Sequence, residues 1–198
     1  MLHHHAFGRD LDTLVVAVVD NRRPILSLMR AMLAAIGTGR IETYESPTEA
    51  LDAMTKSVPD LVIASAAMQP LTGAQLVRVM RHSAKGELAL VPAMIMSVRA
   101  KPAVVEEALR AGAHQVLVLP TTASTLYRRL AWLINDDRPF ELKGEHYIVA
   151  GMEERLSLSF QRPSYVPAST ELRHALAVPD EEADAVFDVA KKTWAAPH

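Results

Sequence analysis

Cysteine is absent from this 198-residue chain, which excludes disulfide frameworks, thiolate nucleophiles and cysteine-ligated zinc. Aromatic residues are scarce, at 5%. Long hydrophobic runs are missing as well. Leu14 to Val19 is among the longest, far short of the roughly 20 apolar residues that cross a bilayer. Met1 to Asp12 lacks the apolar core of a signal peptide. No charge sign dominates, with 21 Lys plus Arg against 23 Asp plus Glu and a formal charge of -2. That balance argues against nucleic-acid or membrane binding. His3 to His5 are too few to assign a metal, and neither metal nor cofactor is expected. At 49% hydrophobic and 22% charged, the chain reads as a soluble, cytoplasmic globular protein of one domain plus an extension.

What is there is an ordered alternation of apolar runs and helical periodicity. Leu14 to Val19 is apolar on both faces, as a central parallel strand requires. Ile25, Leu28, Met29, Met32, Leu33 and Ile36 then fall at helical spacing, with Gly37 as a stop. Ile41 to Tyr44 reads as an edge strand, followed by a short helix burying Ala50, Leu51 and Met54. Leu61 to Ala64, Ala93 to Met96 and Val116 to Leu119 predict three more strands. Helices carrying Leu76, Val77 and Met80, then Val105, Ala108 and Leu109, then Leu126, Leu130, Leu133 and Ile134 complete the series. Five strand-helix units predict a three-layer, doubly wound α/β fold around a five-stranded parallel sheet.

The expected organisation is an arm over 1–13, the domain over 14–135, an extension over 136–178 and an amphipathic helix with tail over 179–198. The stretch from Asn135 onward holds six of the ten aromatic residues, whereas disordered tails are aromatic-poor. Part of it is therefore expected to dock. In the last element Asp180, Glu181, Glu182 and Asp184 precede Lys191 and Lys192, an order that complements a helix dipole. Ala183, Val186, Phe187, Ala190 and Trp194 form its apolar stripe, which packs on its own domain or in a partner's groove.

The segment from Leu14 to Ile134 resembles the receiver domain of bacterial two-component response regulators, the CheY-like fold. The likeness rests on Val18-Val19-Asp20-Asn21, Pro59-Asp60-Leu61-Val62-Ile63, Met68, Pro70 and Gly73, and Pro92 to Ser97. Ala111-Gly112-Ala113 and Leu119-Pro120 complete it. The resemblance implies strand order 2-1-3-4-5. It also implies a site where an aspartate takes a phosphoryl group with the help of Mg²⁺, a hydroxyl and a lysine. Matched position by position, the acidic pair becomes Asp20-Asn21 and the phosphoacceptor becomes Ser65. The lysine becomes Leu119, and the aromatic switch becomes Val116, too stiff for that role. Only the hydroxyl survives, as Ser97. Serine forms no acyl phosphate, and without a base it is a weak nucleophile.

The expected function is a pseudo-receiver of a phosphorelay pathway: no enzyme, but a protein that binds other proteins. Its partners would be a histidine kinase, a phosphotransferase or a downstream target, with a homodimer left open. By resemblance, docking falls on Arg22, Arg23, Ile25 and Met29 of the first helix. Output falls on Arg99, Lys101, Tyr127 and Arg128, with Phe187 and Trp194 added from the tail. Two alternatives stand beside this. Residues 61 to 105 hold Arg78, Arg81, Lys85, Arg99 and Lys101 against one acid, Glu87, which would suit a nucleotide or cyclic dinucleotide. The other is phosphorylation at the non-standard Asp20. His82 and His114 read as surface residues.

Overall fold

A computed structural model describes residues 2–99 and 101–152. Five strands, β1 (Val15–Val19), β2 (Arg40–Tyr44), β3 (Leu61–Ser65), β4 (Ala93–Ser97) and β5 (Gln115–Val118), form one sheet. All neighbours pair in parallel, in the order β2-β1-β3-β4-β5. This is the predicted doubly wound architecture. The helices between them are α1 (Arg23–Ala35), α2 (Pro47–Lys56), α3 (Gly73–Met80), α4 (Pro102–Arg110) and α5 (Ala123–Ile134).

Strand alternation sorts the core into two layers. Val16 and Val18 of β1, Leu61 and Ile63 of β3, Met94 and Met96 of β4, and Leu117 of β5 face α1 and α5. Ala17 and Val19, Val62 and Ala64, Ala93 and Ile95, and Val116 face α2, α3 and α4. Central strands buried on both faces have no polar side, which is why they read as unbroken apolar runs. Helix entry is set locally. Ser46 caps α2, and Thr72 and Gln75 form a reciprocal capping box at α3.

Beyond α5 the chain continues into an antiparallel hairpin, β6 (Phe140–Lys143) and β7 (His146–Val149). Phe140, Val149 and Met152 join the core layer under α3 and α4. Leu2 bridges to Phe140 and His82 to His146, so the core reaches past residue 135. Among the described residues, no helix is long and apolar enough to cross a membrane.

Candidate functional site

The C-terminal ends of β1, β3, β4 and β5 bring together the residues that the sequence singled out. Asp20 follows β1 directly and is fully buried. Its Oδ1 accepts the Arg22 backbone N–H at 2.8 Å and Arg22 Nε at 2.9 Å, and its Oδ2 accepts Arg22 Nη2 at 2.8 Å. The same Nη2 reaches Ser65 Oγ at 3.3 Å, across from β1 to β3. A guanidinium thus spans the two positions where carboxylates would gather. The turn makes this geometry available, because Arg22 is the extended residue that starts α1 and Pro24 fixes the first helical turn. The Asp20 hydrogen bond also raises the Arg22 pKa, holding the charge on.

Asn21 is engaged at both ends of its amide. Its Nδ2 donates to the carbonyls of Glu45 at 2.6 Å and Gln69 at 3.2 Å, and its Oδ1 accepts the Gln69 N–H at 2.7 Å. Ser97 closes a local turn, donating to Arg99 O at 2.9 Å and accepting the Arg99 N–H at 3.2 Å. Leu119, before the cis peptide to Pro120, is buried among the α1 and α5 residues. Val116 is 3% exposed and packs on the opposite layer.

These residues do not fit Mg²⁺, which asks for oxygen ligands in octahedral geometry, carboxylates foremost. The one carboxylate here is held at both oxygens by Arg22, and a resident cation repels a second one. Among the described residues no group of three His, Asp or Glu could hold a metal ion. Asp20 is equally ill placed as a phosphoacceptor, since it is buried behind the guanidinium that grips it.

The proposed docking residues divide. Arg22 is committed to Asp20. Arg23 pairs with Glu45 at 2.8 Å on an exposed surface, and Ile25 is half-buried. Met29 is fully buried in the core beneath α1. Its assignment to partner binding is therefore corrected: Met29 offers no surface, and the exposed apolar residue of this helix is Leu28. Arg99 and Lys101 are exposed beside Val98 and Val118, and Tyr127 and Arg128 are half-buried. Phe187 and Trp194 lie outside the described residues. The anion-binding alternative loses support. A groove of about 560 Å³ between α3 and α4 has the volume for a nucleotide, but Glu106 and Glu107 line it beside Arg78 and Arg110. Arg81, counted with the helix-surface cations, is buried.

Sequence reasoning missed the centre at the other end of the sheet. Arg81 is 1% exposed. Its Nε donates to Gly112 O at 3.0 Å and its Nη1 to Ala89 O and Val91 O at 2.9 and 2.8 Å. The guanidinium lies 4.6 Å over the Phe140 ring, an arrangement favoured by the ring quadrupole. Burial pushes its pKa down to about 9, still above neutrality, so the charge remains. His114, expected at the surface, is 3% exposed and meets Phe140 edge-on at 5.4 Å. The available signal was Gly112 in Ala-Gly-Ala: its φ of +93° and the closeness of Arg81 both demand glycine.

Two kinds of comparison bear on this geometry. A family model for the response regulator receiver domain matches residues 16–131. Among solved structures, the chemotaxis response regulator CheY4 of Vibrio cholerae is 25% identical, over 61% of this chain and 98% of that one, with a TM-score of 0.55. The receiver domain of the sensor histidine kinase PA1611 from Pseudomonas aeruginosa is 20% identical over 62% and 98%, with a TM-score of 0.56. That structure has a magnesium ion coordinated in its active-site cleft. The NarL signal receiver domain of Mycobacterium tuberculosis is 21% identical over 63% and 98%, with a TM-score of 0.55.

Proposed function

Since the chain belongs to the response regulator receiver family, we propose that it serves two-component signalling without phosphorylation, as an adaptor that acts by binding proteins. One observation carries the reading. Arg22 bridges Asp20 and Ser65, so a side-chain cation replaces the pairing of metal and phosphoryl group. The state that other receivers reach by phosphoryl transfer has no chemistry to produce it here. What remains is a rigid scaffold whose surface is displayed continuously. The surface that fits a partner lies beside the fourth and fifth strands. There, Val98 is 55% and Val118 44% exposed, flanked by Arg99 and Lys101. Apolar contact rimmed by long cations suits a pathway protein such as a histidine kinase, a phosphotransferase or a downstream target.

Incubation of the protein with Mg²⁺ and acetyl phosphate, or with a beryllofluoride mimic, tests this reading. The expected result is an unchanged mass and no saturable amide shifts at Asp20, Ser65 or Ser97. A stoichiometric phosphoprotein, or saturable shifts at those positions, would overturn it.

A further inference from the structure

At the lower end of the sheet, the N-terminal arm packs against His114, a neighbour of the buried Arg81 described above. His4 is 3% exposed and meets His114 edge-on at 5.5 Å. Neither of its ring nitrogens is within hydrogen-bond geometry of a partner, though the backbone of Asp136 and Leu133 lies close enough to favour its charged form. His114 Nδ1 accepts the Ala93 N–H, so Nε2 carries the proton, and that atom is buried without a partner too. Among the described residues, four titratable groups besides the two histidines bear on the pair. His3 comes from the arm, Arg81 from the end of α3, and Asp136 and Arg138 from the segment after α5. The sole carboxylate among them, Asp136, is held at both oxygens by Arg138. A proton added to His114 therefore arrives beside Arg81, and one added to His4 meets a carboxylate already paired with Arg138, both in buried surroundings.

We propose that residues 2–9 and the β6–β7 hairpin form an acid-sensitive clasp under the base of the sheet. It is closed while the His4 and His114 imidazoles are neutral and opens when they take up protons. Few bonds hold the arm, so local opening precedes global unfolding. His5 N–H reaches Leu90 O at 3.4 Å, Gly8 N–H reaches Ile134 O at 3.0 Å, and Phe140 N–H reaches Leu2 O at 2.8 Å. Arg9, ion-paired to Asp60, marks where the arm is tied back to the sheet. Burial lowers the pKa of both histidines. The charges of Arg81, His4 and Arg138 add to the effect at His114, while Asp136 partly offsets it at His4. The neutral forms are thus favoured in the closed state. The clasp is at full strength above the ordinary histidine range, about 6.5, and weakens as pH falls below it. Opening uncovers Phe140 and the apolar side of the arm, creating an acid-dependent surface for a partner.

Amide hydrogen exchange on the full chain between pH 7.5 and 5, expressed as protection factors, reads the clasp directly. Protection of His5, Gly8 and Phe140 should fall by about tenfold, the equivalent of one pKa unit, while that of Ala17 in the central strand holds. In a His4→Gln, His114→Gln double variant, arm protection should be independent of pH. Should that variant fail to fold, an imidazole titration of the wild-type chain by NMR decides. The expected result is titration of both imidazoles below 6.5, in step with loss of arm protection. Titration at 6.5 with arm protection intact would overturn the clasp, as would a parallel fall of arm and Ala17.

Discussion

Two aspartates hold the arginine two residues downstream in the same grip. Asp20 with Arg22, and Asp136 with Arg138, each take the backbone N–H and Nε on one carboxylate oxygen and Nη2 on the other. The Asp-x-Arg spacing at a turn was the sequence signal for both pairs. Reading Arg22 only as an exposed helix-start cation passed over it, because a linear match to family positions says nothing about where an arginine folds back. Arg22→Gln should cost about 1–3 kcal/mol, the penalty of leaving the buried Asp20 carboxylate without its partner. The urea midpoint of unfolding measures it; an unchanged midpoint would mean that water satisfies Asp20. Gly112 sets a second test. A Cβ there would lie 2.9 Å from Arg81 Cγ, on a backbone with φ of +93°. Gly112→Ala should therefore lower stability by about 1–3 kcal/mol, seen as a reduced Tm.

At the scale of elements, legibility followed periodicity. The five strands were plain because buried parallel strands are apolar on both faces, and the helices because their apolar stripes recur at helical spacing and stop at Gly37 or Gly112. The hairpin was not. Phe-Glu-Leu-Lys and His-Tyr-Ile-Val are short and mixed in polarity, and only their aromatic content signalled docking. Their stability comes from tertiary contact: Tyr147 N–H donates to Arg81 O and Ser83 N–H to Glu145 O, both at 2.8 Å. Phe140 is the anchor, 5% exposed between Arg81, His114 and Tyr147. Phe140→Ala should then cost about 3–5 kcal/mol, as for a large core aromatic. Thermal unfolding checks it. A loss below about 1 kcal/mol, within the range of ordinary surface changes, would reduce the hairpin to an appendage.

Across the whole molecule, the near-neutral balance of 23 acids and 21 bases conceals two arginine sites at opposite ends of one sheet, one gripping a buried carboxylate and the other itself buried. At the upper end a guanidinium is matched by Asp20, so the site is locked at neutral pH. At the lower end Arg81 is held by carbonyls and a ring face, with His114 as a neighbour and His4 packed on His114. The carboxylate that bears on this pair, Asp136, is already paired with Arg138, which makes global stability depend on pH in a definite sense. Both histidines have lowered pKa values in the folded state, so the unfolded chain binds more protons below about 6.5, and folding stability must fall as pH falls. With at most two protons involved, the slope should approach, but not exceed, about 2.7 kcal/mol per pH unit. Urea unfolding at intervals from pH 7.5 to 5 measures it. The contribution is complete above 6.5, so the curve should flatten there. The His4→Gln, His114→Gln variant should lose most of the slope below 6.5, since its side chains have no proton to take up. An acid limb equally steep in that variant would assign the pH dependence to the surface carboxylates instead.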